Sequence, residues 1–199
     1  LGLISYLDGT NLDLKVAHCS DSACTSATLY TLDSTGFVGY YTSITIGADG
    51  LGLISYYDDT NGNLKVAHCS NNACSAATIS TLDSAGNVGR YTTITIGADG
   101  LGLISYYDVS NADLKVAHCS NTACSAATLA TLDSSGDVGQ YTSITIGADG
   151  LGLISYLNNG NYDLKVAHCS NTACSAATIS TLDLHVDVGY YTSITIGAD

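Results

Sequence analysis

The sequence predicts an all-β fold made from four copies of one unit of four antiparallel strands. Three observations predict it. The stretch YTSITIGADGLGLISYYD at 41–58 recurs at 91–108 and 141–157 with small changes, and is split between the two termini, which sets a period of 50 residues. The composition is that of strands and turns: all eighteen acidic residues are Asp, Pro and Met are absent, and the good helix formers Glu, Gln and Lys are absent or scarce. Finally, Asp49-Gly50 lies between two alternating apolar runs, the strongest short signal for a hairpin.

The strands follow in order within each repeat. Residues 1–8, LGLISYLD, put Leu3 and Ile4 on opposite faces, so both faces need cover. After a turn at 9–12, DLKVAHC at 13–19 places Leu14, Val16 and His18 on one face and Lys15, Ala17 and Cys19 on the other. The third strand, 27–33, is always apolar at its third position (Leu29, Ile79, Leu129, Ile179) and drifts at the next, which assigns the first to a core and the second to solvent. A loop leads to YTSITIGA at 41–48, and the Asp-Gly turn returns the chain to the next LGLISYYD.

Four-stranded units at this period predict a β-propeller, with a β-solenoid as the rival. Solenoid rungs are shorter and lack a meander of tight hairpins. The units are 1–50, 51–100, 101–150 and 151–199 of a single repeat domain, 1–199. A 50-residue unit buries little core alone, so stacking on its neighbours supplies the rest. The chain opens on the second strand of a unit and ends on a first strand, 191–199, which is expected to pair with the N-terminal three and close the ring. The same permutation allows that strand to complete a blade of another copy. The lack of an initiator Met and the start in mid-pattern fit a processed or excerpted product.

TSITIGADGLGLISYYD followed by TNGNLKVAHC resembles the Tyr-Tyr-Asp repeats of secreted bacterial β-propeller proteins, along essentially the whole chain. The resemblance implies the propeller fold and carries little about function. Two departures stand out: Leu-Gly-Leu where Pro is common before ISYYD, and a Cys pair where an aromatic is often found.

Those cysteines, Cys19/Cys24, Cys69/Cys74, Cys119/Cys124 and Cys169/Cys174, fall as one Cys-x4-Cys per repeat across a hairpin loop, within reach of a disulfide. A zinc site with His18, His68, His118 or His168 is the alternative, but adjacent strand residues point to opposite faces and leave two ligands per blade. The order also fails the Cys-x2-Cys-His haem pattern. Disulfides imply an oxidising, extracellular location. The four equivalent histidines read as packed, hydrogen-bonded side chains between blades.

Asp183, His185 and Asp187 alternate in a stretch unlike the other repeats, a thin metal candidate beside simple sequence drift. Asp8, Thr10, Asn11 and Asp13 offer oxygens at a turn but lack the carboxylate density of a calcium loop, so an Asx turn is the reading. Gly50-Leu51-Gly52 leads into a strand and is no nucleotide loop. No metal or cofactor is therefore expected.

A net charge of −13 disfavours nucleic acid and anionic membranes. No apolar run reaches the ~18 residues of a spanning helix. No repeat introduces a Ser-His-Asp set or a distinctive carboxylate pair, so the sequence is read as non-enzymatic.

Variation between repeats collects in the turns 7–12, 57–62, 107–112 and 157–162 and at Tyr40, Arg90, Gln140 and Tyr190, which share one face of a propeller. That face is the candidate for partner contact. The leading expectation is an extracellular structural or adhesive module, self-associating into a polymer by strand exchange. The alternative is a lectin-like propeller with shallow glycan sites on the same face or at a cell surface. The absence of Trp counts against it, and Tyr6, Tyr56, Tyr57, Tyr106, Tyr107 and Tyr156 are expected to pack in the core.

Overall fold

The computed structural model describes residues 1–185 and 187–198. It is all-β, a propeller of radiating antiparallel sheets. The first sheet holds β1 (Leu3–Asp8), β2 (Asp13–Cys19) and β3 (Ala27–Asp33). The second holds β4 (Val38–Ile46), β5 (Gly52–Asp58), β6 (Asn63–Cys69) and β7 (Ala77–Asp83). The third holds β8 (Val88–Ile96), β9 (Gly102–Asp108), β10 (Asp113–Cys119) and β11 (Ala127–Asp133). The fourth holds β12 (Val138–Ile146), β13 (Gly152–Asn158), β14 (Asp163–Cys169) and β15 (Ala177–Asp183).

Each sheet is a meander in which neighbours in sequence are neighbours in space. The β4–β5 hairpin closes through Gly47 N–H to the Leu51 carbonyl and Gly50 N–H to the Gly47 carbonyl. Gly50 takes φ 81°, a left-handed position at the end of the turn that a Cβ would strain. The connection is thus Ala48-Asp49-Gly50, one residue longer than a minimal Asp-Gly hairpin.

The core lies between sheets. Leu14 and Val16 pack against Val38, Ile54, Tyr56, Ala67, Cys69 and Cys74 of the next sheet. Leu64 and Val66 meet Val88, Ile104, Tyr106, Ala117, Cys119 and Cys124 in the same way. Leu114 and Val116 meet Val138, Ile154, Tyr156, Ala167, Cys169 and Cys174. Both faces of a middle sheet are therefore covered, which is why its strands read as near-continuous apolar runs. Tyr56, Tyr106 and Tyr156 lie in these cores and Tyr57 and Tyr107 are buried beside them, as the sequence predicts, whereas Tyr6 of the first sheet is only part-buried.

Two expectations are corrected. The third position of the outer strand is a core position in only two units: Ile79 and Ile179 are part-buried and pack against the inter-sheet cores, whereas Leu29 and Leu129 are exposed at the rim. Nor does the C-terminal stretch complete the first sheet, which has three strands. Among the described residues, 191–198 form no strand. Thr192 Oγ1 donates to the Tyr141 carbonyl and the Ile194 N–H to Ser143 Oγ, 2.9 and 3.2 Å. The segment thus lies against β12 as β8 lies against β4, where Ile94 N–H donates to Ser43 Oγ. Each loop into an inner strand advances the chain one blade position, and here the last advance follows β12 without reaching β1. Asp199 falls outside the described residues.

Candidate functional site

The inner strands converge on a row of tyrosines that one backbone irregularity creates. In β4 the register with β5 shifts between Val38 and Tyr40 and again between Tyr40 and Ser43. Gly39 takes φ 89° and Tyr41 φ 54°. A Cβ on Gly39 would sit 2.8 Å from the Leu14 Cα, so only glycine permits this approach. Such bulges re-aim a side chain, and left-handed non-glycine residues cluster where a site needs them. The same distortion recurs at Tyr91 and Tyr141, and Tyr191 shares the left-handed φ.

The four rings form an arc. Their centroids are 4.6 Å apart for Tyr41–Tyr91, 4.4 Å for Tyr91–Tyr141 and 4.5 Å for Tyr141–Tyr191. Tyr57 and Tyr107 flank it at 6.2 and 6.3 Å. With Thr42, Thr92, Thr142 and Thr192 the tyrosines line a shallow depression of about 270 Å³. The threonines are fixed by serines on the second strand of the preceding sheet, as in Ser55–Thr92 at 3.0 Å and Ser105–Thr142 at 2.8 Å. The depression therefore has an aromatic rim on a hydroxyl-bonded base.

Burial, reinforced by the Tyr141 and Tyr41 hydroxyls, pushes the Tyr91 phenol up. The hydrogen bond with Tyr141 raises Tyr191 as well. Burial and then Asp137 push Tyr107 up to about 12. These phenols stay neutral across physiological pH and serve as hydrogen-bonding groups, not as bases.

The four variable positions lie beside this arc. Tyr40 is 6.4 Å from Tyr41 by ring centroid. Arg90 lies over the Tyr57 ring at 5.4 Å and reaches Asp59 at 3.8 Å. Gln140 donates to Asp137 at 3.3 Å, and Tyr190 stacks on Tyr162 at 6.2 Å and tilts against Tyr141 at 5.7 Å. Sequence reasoning singled out these neighbours and passed over the tyrosines themselves. The signal was present: Tyr is unchanged at 41, 91, 141 and 191 while the preceding residue varies.

All eight cysteines are paired as expected, with Cα atoms 4.8 or 4.9 Å apart. The disulfides sit at the opposite end of the strands from the tyrosines and suit an oxidising environment. With every thiol consumed, a Cys-His zinc site has no ligands. His68, His118 and His168 bond instead to Asp49, Asp99 and Asp149 of the hairpin turns at 2.7–2.8 Å, which ties each turn to its sheet's third strand rather than joining blades. The Asp58 carboxylate accepts from the Asn61 backbone and side-chain amides at 3.1 and 2.9 Å, the Asx turn expected at this position. Among the described residues His185 pairs with Asp183, and no group of three His, Cys, Asp or Glu is gathered as a metal site.

No family model matches the chain, and no curated protein matches it. Three solved structures resemble the chain, and one of them shares the fold. A GH43 β-1,3-galactosidase matches with TM-score 0.62 at 10% identity, over 95% of this chain and 45% of that one. An α-L-arabinofuranosidase from Lactobacillus brevis covers 72% of this chain and 53% of its own at 12% identity, TM-score 0.49. An endo-1,4-β-xylanase from Bacteroides thetaiotaomicron covers 94% and 78% at 11% identity, TM-score 0.48. The chain thus spans about half the length of the first two. The reading of the sequence as non-enzymatic is overturned: its fold is one that a named glycosidase uses. The sequence criterion asked for a carboxylate pair that stands out between repeats, whereas glycoside hydrolysis needs two suitably placed carboxylates, and their spacing in the fold cannot be read by comparing repeats. What the comparison establishes is the architecture, a β-propeller shared with a galactosidase at very low identity.

Proposed function

We propose that the chain is a carbohydrate-recognising propeller whose tyrosine arc receives a neutral glycan. The arc of Tyr41, Tyr91, Tyr141 and Tyr191 carries this reading. Tyrosine offers an apolar ring to the C–H face of a sugar and a hydroxyl to its rim, at low entropic cost because two torsions fix it. The threonines beneath match the alternating donors and acceptors of a polyol. A net charge of −13 selects against anionic polysaccharides. The fold shared with a β-1,3-galactosidase supports a glycan over other small ligands. Tyr40, Arg90, Gln140 and Tyr190, beside the arc, then supply the unlike contacts that distinguish one sugar from another.

Calorimetric titration with neutral galacto-, xylo- and arabino-oligosaccharides tests it. Binding is expected, and the double variant Tyr91→Asn, Tyr141→Asn should lose more than about tenfold in affinity, as the loss of stacked aromatics implies. Asn is chosen because it tolerates the left-handed backbone at these positions. Absence of glycan binding, or binding untouched by the double variant, would reject the reading. Release of reducing sugar in the same samples reports whether a bound glycan is also cleaved.

A further inference from the structure

The three inter-sheet contacts within the chain are built to one pattern, and the pattern leaves two unmatched halves. In each contact an Asp at the end of the outer strand receives a Tyr hydroxyl and a Lys ammonium from the following sheet. Asp33 takes Tyr56 at 2.7 Å and Lys65 at 2.6 Å. Asp83 takes Tyr106 at 2.8 Å and Lys115 at 2.6 Å, and Asp133 takes Tyr156 and Lys165. Asp183 is the fourth of the series, and among the described residues it meets only His185. Tyr6 and Lys15 are the matching Tyr and Lys of the first sheet, where among the described residues Lys15 has only Asp8 at 3.5 Å.

The apolar surfaces are divided in the same way. Leu164 and Val166 are part-exposed and Leu182 is 63% exposed, whereas Leu64, Val66, Leu114 and Val116 are wholly buried. With Ile194 they line a hollow of about 360 Å³ on the last sheet. On the first sheet Ile4 is 50% exposed and Cys24 exposed, while Ile54, Ile104 and Ile154, with Cys74, Cys124 and Cys174, are buried. Those buried counterparts are the residues that fill the equivalent hollow in the other three contacts. The backbone repeats the division, since 191–198 pairs with no strand and β1 has only β2 beside it.

We propose that these halves belong to one interface, with the first sheet of a second copy seated on the last sheet of this one. Tyr6 and Lys15 of the incoming copy reach Asp183, Ile4 enters the hollow over Leu164, Val166 and Ile194, and β1 adds to 191–198 as β5 adds to β4. The charges match: among the described residues Asp183 lacks the ammonium that Asp33, Asp83 and Asp133 hold, and Lys15 has Asp8 but lacks the second carboxylate that Lys65 and Lys115 have. Such a head-to-tail contact yields a closed ring or an open filament according to whether its rotation closes.

Charge reversal tests the pairing on the whole chain. Asp183→Lys and Lys15→Asp each place like charges across the contact, at positions where folding by circular dichroism should be unchanged. Light scattering on non-reduced protein should show the parent chain above its 20.4 kDa protomer mass. Each variant alone should associate more than about tenfold more weakly, since like charges facing each other are strongly disfavoured. An equimolar mixture should recover the assembly, because the ammonium introduced in one variant then faces the carboxylate introduced in the other. A parent chain that remains at 20.4 kDa up to millimolar concentration would overturn the proposal, as would variants that assemble like the parent. Failure of the mixture to recover would equally overturn it.

Discussion

Tyr56 of β5 donates its hydroxyl to Asp33 of β3 across the boundary between two sheets, at 2.7 Å, with Lys65 on the same carboxylate oxygen. The carboxylate is almost wholly enclosed, and the ammonium lies over the Tyr56 ring at 5.7 Å. A buried charge of this kind is tolerated because it is paired and hydrogen-bonded, and the pairing fixes how one blade sits on the next.

Removing the acceptor should therefore be severe. Asp83→Ala removes the closer carboxylate of Lys115 and leaves it only Asp108 at 3.7 Å in a largely buried site. A loss of about 3 kcal/mol, the low end for breaking a buried pair, is expected. Tyr106→Phe removes one hydrogen bond and keeps the ring, and should cost about 1–2 kcal/mol. Chemical denaturation of the two variants measures both.

The same carboxylates set the acid limit of stability. Burial alone would raise Asp33, Asp83 and Asp133, but the lysine and tyrosine donors outweigh it and hold them below the ordinary 3.8. A depressed folded-state pKa means that the unfolded chain binds more protons between the two values. The stabilisation is thus complete above 3.8 and is lost as pH falls through the folded-state values. Tm should be level near neutrality and drop steeply below pH 3.8, where Asp83→Asn should show a shallower fall.

At the other end of the scale, burial and then the Asp carboxylates drive the phenols of Tyr56, Tyr106 and Tyr156 far above the ordinary 10.0. A raised folded-state pKa gives stability that is present below 10.0 and declines as pH rises beyond it. Ultraviolet titration should find these three phenols silent until the chain unfolds. Their ionisation in the native state would contradict the buried arrangement.

Each disulfide closes a short loop, and the chain-entropy relation gives about 2 kcal/mol per bond. Cys69 and Cys74 are also wholly buried between sheets. The double variant Cys69→Ala, Cys74→Ala should lose about that amount and pack less well, with a lowered denaturation midpoint. Reduction of all four bonds should lower it further.

The bulge that presents the tyrosines depends on its glycine. Gly89 takes φ 105°, and a Cβ there would lie 2.8 Å from the Leu64 Cα, a backbone atom that cannot move aside. Gly89→Ala should destabilise by more than about 1 kcal/mol, since strain exceeds the usual gain from a stiffer unfolded chain. It should also disturb the Tyr91 ring, visible in near-ultraviolet circular dichroism.

Repeat period, strand order, hairpins and disulfide pairs were legible in the residues because they are local or periodic. Cys-x4-Cys across a turn can scarcely pair otherwise, and LGLISYYD read as covered on both faces because it is. The variable residues Tyr40, Arg90, Gln140 and Tyr190 drew the reading to one face, whereas the invariant tyrosines beside them were passed over.

The sequence by itself determined the all-β propeller, its four-strand unit and the four covalent staples, since each follows from spacing and turn chemistry. Only the tertiary structure decided that Tyr41, Tyr91, Tyr141 and Tyr191 meet in an arc, that Asp33, Asp83 and Asp133 each bind the Tyr and Lys of the next sheet, and that 191–198 lies beside β12 instead of β1. The reason is distance along the chain. Contacts spanning 23 to 51 residues depend on the angle between successive sheets and on a two-step register shift in the inner strand, and neither is written in any local pattern.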